Sequence, residues 1–192
     1  MKNEIYYATG NAGKFEEVKA FFEQYEPTIL VKQFPVDIEE IQSLDQKKIA
    51  IDKAKKAWAL LQKPLLIDDS GIYFEGYNQF PGTFSKYIFQ ALGFDGIFKL
   101  VNENAKAAFI LQMVYIDGER LETFEGHCAG TIVKPVEVAT HPQLPLTAIF
   151  KPEGTDKTYA ELRYTKEFVR FAFRQHALKN FLAWYKEKII SL

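Results

Sequence analysis

The order of the predicted strands and helices indicates an α/β fold with a mixed central sheet. Three observations predict this class. A strand, a turn and a helix open the chain, two more strands and a helix follow in the first half, and two long strand-like runs are adjacent in the second half. The length of 192 residues suggests one domain, and a hydrophobic content of 47% provides enough apolar side chains for a sizeable core.

The first half of the sequence predicts three strands and two helices. The predicted strands are Ile5–Ala8, Thr28–Phe34 and Pro64–Ile67, and the predicted helices are Phe15–Tyr25 and Lys47–Leu61. Asp45 is suited to cap the second helix. Charge appears at Asp68, directly after the third predicted strand, and ligands of α/β proteins bind at the carboxyl ends of strands.

The second half combines strands with a closing helix. Asp117-Gly118 is a strong hairpin signal between two long strand-like runs. The predicted strands here are Ala107–Asp117, Glu119–Val133 and Ala148–Phe150, and the predicted helices are Phe84–Leu92, Gly96–Asn102 and Thr165–Ile190. This part therefore adds a long antiparallel excursion to the sheet.

Composition excludes several classes of function. The 24 Lys and Arg residues against 25 Asp and Glu give a net charge of −1, which lacks the positive field of a duplex-binding protein. The sequence shows no signal-like N-terminal stretch and no apolar run long enough for a membrane, so we expect no membrane association. Cys128 is the only cysteine, which favours a reducing, cytoplasmic location. The spacing of His127, His141 and His176 does not build a zinc site.

The turn Thr9-Gly10-Asn11-Ala12-Gly13-Lys14 joins a predicted strand to a predicted helix. Glycines, amide donors at a helix start and one ammonium group are the features of a phosphate-binding turn. The spacing is not that of a Walker A loop. A plain strand-to-helix turn with an exposed lysine is the alternative interpretation.

Asp68-Asp69-Ser70-Gly71 places two carboxylates and a hydroxyl at a strand end. Mg²⁺ prefers carboxylate oxygens together with waters and substrate phosphates, and a carboxylate can also take a proton from water. The alternative is an Asx-turn or helix cap that closes the strand.

The ordered motifs TGNAGK, IEE, IAIDKAKKA, IDDSG and FEG…GTI resemble those of the inosine triphosphate pyrophosphatase family. The resemblance runs from Ile5 to Ile132 and returns at Ile149–Gly154 and Thr158–Leu162. It implies a Mg²⁺-dependent hydrolysis of nucleoside triphosphates to monophosphates and pyrophosphate. It also implies an elongated, two-lobed α/β domain over 1–192, with the nucleotide in a cleft, and a homodimer.

The same resemblance assigns roles to individual residues. It implies that Thr9, Asn11 and Lys14 hold the triphosphate, and that Glu40 and Asp69 hold Mg²⁺ or orient its waters. The remaining substrate-binding positions that it implies are Gly10, Ser70, Gly71 and Arg174. Lys14 and Lys53 would neutralise phosphate charge, and Asp69, or Asp68 beside it, would act as general base toward a water nucleophile.

Two segments that read the base in most family members are replaced in this chain. The first is Leu144–Ala148, which lacks the aromatic ring and the carboxylate of the family pattern. The second is Phe168–Arg174, in which Arg174 alone matches. A base-selective site needs donors aimed at the base edge, so we expect an altered base preference. Phe168, Phe171 and Phe173 either line a stacking pocket or belong to the core.

Three alternative hypotheses about the function remain open. The protein could be the usual house-cleaning enzyme for inosine and xanthosine triphosphates, with other residues reading the base. It could instead be a catalytically silent nucleotide-binding or interaction protein with the same fold, although such a protein has no chemical need for four residues together: Lys14, Glu40, Lys53 and Asp69. A helical interaction module that exposes Phe181, Trp184 and Tyr185 is a further alternative.

Overall fold

The structure, a computed structural model, describes residues 3–78, 80–135 and 143–190. Six strands form one sheet in the hydrogen-bonded order β2-β1-β3-β4-β5-β6. The strands are β1 Asn3–Ala8, β2 Ile29–Phe34, β3 Leu65–Phe74, β4 Lys106–Ile116, β5 Leu121–Ile132 and β6 Phe150–Pro152. β1 pairs in parallel with both β2 and β3, whereas β5 and β6 are antiparallel, which confirms the predicted mixed α/β class.

Five α-helices accompany the described strands, and the first two begin directly after the residues that cap them. They are α1 Ala12–Tyr25, α2 Gln46–Leu61, α3 Ser85–Leu100, α4 Tyr159–Leu162 and α5 Phe173–Tyr185. Asp45 accepts a hydrogen bond from the Lys48 amide, so the predicted cap of α2 is confirmed. None of the described helices is both long enough and apolar enough to cross a membrane.

β3 is longer than the sequence predicts. It was expected to end at Ile67, but it continues through Asp68 and Asp69 to Phe74. Ile72 and Phe74 are buried beyond the two aspartates, and both aspartates have cationic partners. Because these partners compensate the buried charges, the carboxylates do not end the strand.

The predicted helices of the second half are confirmed in one part and need a correction in another. The two helices expected at 84–92 and 96–102 lie within α3, which is two helical segments joined across a kink at Gly93, at φ 60° and ψ −168°. The expected closing helix Thr165–Ile190 is divided into a 3₁₀ turn at Lys166–Arg170, then α5, then a π-helical turn at Lys186–Ile190.

Two further differences lie just before this region. A 3₁₀ helix at Pro145–Ile149 shifts β6 to start at Phe150, two residues later than predicted. The short helix α4 was missed, although Thr158 and Glu161 form a capping box, which is a recognisable sequence signal.

The chain forms two compact units. The first comprises the chain up to Asp69, Leu111–Gly126 and the chain from Arg174 onward; the second comprises Ser70–Ile110 and His127–Phe173. In the first unit, small residues of α2 pack on the sheet, because a helix face of alanines allows close approach. That cluster contains Ala8, Ala50, Ala54, Ala57, Leu65, Ile67, Val114 and Ile116. The expected single domain of two lobes stays a prediction.

The aromatic residues of α5 belong to the core of the first unit. Phe181 is fully buried, and its ring lies 5.4 Å from that of Tyr115 and 5.6 Å from that of Phe124. Tyr185 is 4% exposed. Since Phe181 and Tyr185 are buried, the alternative of a helical module that exposes these rings to a partner is wrong.

Candidate active site

The turn at Thr9–Lys14 is held by its own polar side chains. The Thr9 amide donates to the Phe34 carbonyl at 3.0 Å, which ties the turn to the end of β2. Thr9 Oγ1 accepts from the Asn11 amide at 3.1 Å, and Asn11 Oδ1 accepts from the Lys14 amide at 3.1 Å as the cap of α1. Gly10 is exposed, and a methyl group added there would meet no atom within 4 Å. The side chains of Thr9 and Asn11 thus fix the conformation of the turn that carries Lys14.

Lys14 belongs to a buried set of charged and polar residues that we call the Asp68 network: Tyr7, Lys14, Glu17, Asp68 and Arg174. The Lys14 ammonium donates to Asp68 Oδ1. Asp68 Oδ2 accepts from the Tyr7 hydroxyl and, at 2.8 Å, from Arg174 Nε. Arg174 Nη1 also donates to Glu17 Oε2 at 2.6 Å. The Asp68 carboxylate therefore accepts three hydrogen bonds.

The elements of the first unit bring this network together. Tyr7 and Asp68 lie on the parallel neighbours β1 and β3, where Tyr7 is in register with Leu66. Lys14 and Glu17 are three residues apart in α1, so they share one helix face. Arg174 is the second residue of α5 and is 2% exposed. Neighbouring strands and helix ends thus join residues that are up to 157 positions apart in sequence.

Burial and neighbouring charges shift the pKa values of the network. Burial by itself favours the neutral form of Asp68, but Lys14 and Arg174 outweigh it and hold the pKa of Asp68 far below its usual value. Burial lowers the pKa of Lys14, although the Asp68 carboxylate opposes this shift. The lowered pKa of Asp68 therefore favours its ionised form as an acceptor for these donors.

Glu40, Lys53 and Asp69 form a second group, the Asp69 cluster. Lys53 Nζ lies 2.6 Å from Glu40 Oε1 and 3.4 Å from Asp69 Oδ1. The same ammonium lies 3.4 Å from the Asp68 carbonyl oxygen. The other carboxylate oxygen, Asp69 Oδ2, is buried and has no hydrogen-bond partner among the described residues. Two carboxylates thus converge on the Lys53 ammonium, and the buried Asp69 Oδ2 remains available to accept a further contact.

The pKa values of this cluster shift in the opposite direction to that of Asp68. Burial raises the pKa of Asp69, and Lys53 and Lys14 only partly counteract it. Burial also opposes the charged form of Lys53, but Asp69 and Glu40 outweigh it and raise the pKa of Lys53. Asp69 is therefore more basic than an ordinary aspartate, next to a cation that stays charged.

Ser70 and Gly71 follow the two aspartates on β3 and open the second unit. Gly71 is packed tightly, since a Cβ atom there would lie 2.1 Å from the Gly82 carbonyl oxygen. Ser85 Oγ accepts from the Ile72 amide at 2.9 Å beside this contact. Close backbone packing explains the glycine at position 71. Ser70 is half-buried, and a substrate contact of either residue stays a prediction.

Comparison with known proteins identifies the family. The sequence profile of the Ham1 family matches residues 5–184. The chain belongs to the Ham1 family. It is 36% identical over 189 residues to a dITP/XTP pyrophosphatase of Methanopyrus kandleri, and the alignment covers 97% of this chain and 98% of that protein. It is 32% identical to an inosine triphosphate pyrophosphatase of Yarrowia lipolytica, and this alignment covers 93% of this chain and 95% of that protein. These matches confirm the resemblance seen in the motifs.

Solved Ham1 structures share the fold. A HAM1 protein from Coxiella burnetii superposes with a TM-score of 0.75 at 23% identity and covers 96% of this chain and 99% of that chain. The Ham1 protein of Staphylococcus aureus gives a TM-score of 0.72 at 22% identity, with 97% and 100% covered. The overall architecture is therefore that of Ham1 proteins.

Three aromatic residues of the segment that departs from the family pattern near the C terminus are buried in the second unit. Phe168, Phe171 and Phe173 are 7%, 7% and 4% exposed. Phe173 stacks on Phe109 with the ring centroids 5.1 Å apart and the planes at 9°, and Phe168 lies edge-on to Tyr159 at 5.1 Å. These contacts are those of core residues. A role in base stacking stays a prediction.

The structure adds two residues to the site that the sequence did not single out, Tyr7 and Glu17. Tyr7 is fully buried, and its hydroxyl contacts Asp68. Glu17 is 7% exposed on a helix face otherwise lined by Val18, Phe21 and Phe22. A glutamate on the apolar face of a helix is the one signal that could have indicated a buried ion pair.

Arg174 was expected to contact the substrate, and the structure places its side chain between Asp68 and Glu17. Its burial follows from these two partners, since a guanidinium group is rarely buried without paired carboxylates. Direct contact between Arg174 and a substrate stays a prediction. Among the described residues, no group of three or more His, Cys, Asp or Glu side chains forms a metal cage. His141, one of the three histidines, lies outside the described residues.

Proposed function

We propose that the protein is a nucleoside-triphosphate pyrophosphatase that hydrolyses its substrate to a nucleoside monophosphate and pyrophosphate and removes aberrant nucleotides. Membership of the Ham1 family supports this, as do relatives named dITP/XTP pyrophosphatase and inosine triphosphate pyrophosphatase. The observation that carries the proposal is the Asp69 cluster. There, a buried carboxylate with one available oxygen lies beside a lysine that stays charged.

The triphosphate is bound by the Thr9–Lys14 turn. The start of α1 carries the positive end of the helix dipole, and Lys14 adds an ammonium group at the same place. Its side chain is 17% exposed, whereas that of its partner Asp68 is 1% exposed. Lys14 is thus the part of the Asp68 network that can reach an anion. Thr9, Gly10 and Asn11 contribute the turn, with Ser70 and Gly71 as further predicted contacts.

The residues at the Asp69 cluster fit a divalent cation. Glu40 Oε1 and Asp69 Oδ1 converge on one cationic group, so these two oxygens are the candidate ligands, whereas Asp69 Oδ2 has no partner among the described residues. Mg²⁺ takes one or two carboxylates and completes its shell with waters and substrate phosphates, so two carboxylates suffice. Glu40 and Asp69 would hold Mg²⁺, which supplies positive charge to the triphosphate oxygens when bound.

We assign different chemical roles to the two aspartates. Asp69 is the general base, because its pKa is raised and one of its oxygens is available to accept a proton. Asp68 is a poor base, since three donors and a lowered pKa stabilise its ionised form. Of the two aspartates that the sequence left open as general base, we therefore propose Asp69.

The reaction is the attack of water on the α-phosphorus. A new bond forms between the water oxygen and phosphorus, and the bond from the α-phosphorus to the oxygen that bridges to the β-phosphorus breaks. Asp69 receives the water proton, and pyrophosphate leaves. Lys14 and Lys53 neutralise charge that develops on the phosphate oxygens, which is the largest contribution expected from fixed charges in such a site.

The base preference is proposed to differ from that of most relatives, since Leu144–Ala148 and Phe168–Phe173 lack the base-reading pattern. Pyrophosphate release with Mg²⁺ tests the whole proposal. The panel contains inosine, xanthosine, the common ribo- and deoxyribonucleoside triphosphates and several modified bases, with Asp69→Asn as the inactive control.

The outcomes of this assay separate the hypotheses. Turnover of another base supports an altered pocket. Preference for inosine and xanthosine triphosphates supports the usual house-cleaning activity and contradicts the altered pocket. No turnover of any triphosphate contradicts the proposed enzyme and favours a silent binding protein. The homodimer and the cytoplasmic location stay predictions.

A further inference from the structure

The buried part of the Asp68 network has no step in the reaction. Tyr7 and Arg174 share Asp68 Oδ2, whereas Lys14 contacts Asp68 Oδ1. Tyr7 is fully buried, and the side chains of Arg174, Glu17 and Asp68 are at most 4% exposed. None of these four groups reaches solvent as Lys14 does.

The charges of the network balance. Lys14 and Arg174 carry two positive charges, and Asp68 and Glu17 carry two negative charges. Each additional donor on Asp68 reduces the share of its negative charge that acts on Lys14, because hydrogen bonds to one carboxylate compete for the same charge. Tyr7 is the neutral donor of the set. Its hydroxyl therefore leaves the net charge of the network unchanged, and it weakens the attraction between the Asp68 carboxylate and the Lys14 ammonium.

We propose that Tyr7 and Arg174 are positioning residues that keep the Lys14 ammonium available to the phosphate groups of the substrate, and that Glu17, behind Arg174, limits the hold of Arg174 on Asp68. This proposal rests on the proposed function, because Lys14 is there the phosphate-binding lysine. The Tyr7 hydroxyl and the Arg174 guanidinium occupy one oxygen of Asp68 and leave the other for Lys14. The position of Lys14 is thereby fixed without complete neutralisation of its charge.

The test compares Tyr7→Phe with Tyr6→Phe in the full chain. Tyr6 is the neighbouring residue on β1, and its hydroxyl lies near Lys63 at 3.4 Å, outside the Asp68 network. Both changes remove one hydroxyl and keep the ring, so both variants are expected to fold. The probe is inorganic tripolyphosphate, whose affinity is measured by calorimetry, together with kcat and KM for a triphosphate that the wild type hydrolyses.

We expect Tyr7→Phe to weaken tripolyphosphate binding and to raise KM by up to about tenfold, the order of one hydrogen bond to a charged group. Tyr6→Phe should leave both unchanged. The decisive measurement is a double-mutant cycle with Lys14→Met. If Tyr7 acts through Lys14, Tyr7→Phe has no further effect on tripolyphosphate affinity in the Lys14→Met background. A merely structural role would give the same loss in both backgrounds.

Failure of the positioning proposal can be distinguished from failure of the proposed function. A wild type that hydrolyses triphosphates and binds tripolyphosphate, with equal affinities in Tyr7→Phe and Tyr6→Phe, overturns the positioning proposal alone. A wild type that neither hydrolyses triphosphates nor binds tripolyphosphate overturns the proposed function together with it.

If Tyr7→Phe does not fold, Glu17→Gln replaces it in the same cycle. Loss of Glu17 strengthens the hold of Arg174 on Asp68, so tripolyphosphate affinity should rise in the wild-type background and stay unchanged with Lys14→Met. A rise of equal size in both backgrounds would contradict the proposal.

Discussion

Asp68 and Asp69 are consecutive residues of β3, but the regions around them differ in charge and hydrogen bonding. Side chains alternate between the two faces of a strand, so the two carboxylates point in opposite directions. The Asp68 network supplies three donors and a lowered pKa, whereas the Asp69 cluster leaves one oxygen without a partner among the described residues and raises the pKa. A motif of two adjacent aspartates thus contains one carboxylate that is fully paired and one that keeps an oxygen for the proposed reaction.

The largest effect is expected for Asp69→Asn. Loss of the base should lower kcat by at least about 100-fold, in the range of general-base contributions. The melting temperature should change little, because burial already favours the neutral form of this side chain. Pyrophosphate release and thermal denaturation measure the two quantities.

The dependence on pH sharpens the same prediction. Since the base must be ionised and its pKa is raised, the rate of the wild type should fall as the pH decreases, at values above the ordinary 3.8 of aspartate. A well-folded Asp69→Asn variant with the full rate would contradict the mechanism.

Asp68→Asn should act mainly on stability. The change leaves Lys14 and Arg174 buried with one carboxylate instead of two, and the loss of one partner from a buried ion pair costs about 3–5 kcal/mol. Chemical denaturation of both aspartate variants provides the comparison. If Asp68→Asn were as stable as the wild type, the Asp68 network would not be a structural unit.

Glu40→Gln tests the Asp69 cluster as a metal site. We expect the Mg²⁺ concentration at half-maximal rate to rise roughly 10–100-fold, the range seen when groups that support a metal are lost. Glu39→Gln is the matched control, because Glu39 contributes its backbone carbonyl to Lys56 at 2.8 Å. Direct titration of Mg²⁺ provides a readout that is independent of turnover. Equal Mg²⁺ requirements in the two variants would argue against Glu40 as a ligand.

The smallest effect is expected for Glu23→Gln on the exposed face of α1. Glu23 and Lys19 lie 3.7 Å apart with side chains that are 66% and 55% exposed. Exposed pairs of this spacing contribute about 0.3–0.5 kcal/mol. Glu17→Gln on the buried face of the same helix should cost several times more, and denaturation of both variants measures the ratio. Equal costs would show that burial does not separate the two faces.

The sequence by itself determined the order of elements in the first half and the residues of the Asp69 cluster. Strand and helix periodicity predicts β1, α1, β2 and α2 to within a few residues, because these are short, regular, half-buried elements with clear caps. The motif resemblance selected Glu40, Lys53 and Asp69, and the structure brings these three side chains together.

Only the tertiary structure decided the roles of Asp68, Tyr7, Glu17 and Arg174. Their contacts join β1, β3, α1 and α5, and no local pattern reports a pairing between residues 157 positions apart. The length of β3 was missed for the same reason, since its aspartates are tolerated within a strand because of lysine and arginine partners from other elements. Local propensity fixes the elements, whereas the cost of burying charge, which depends on distant partners, fixes the site.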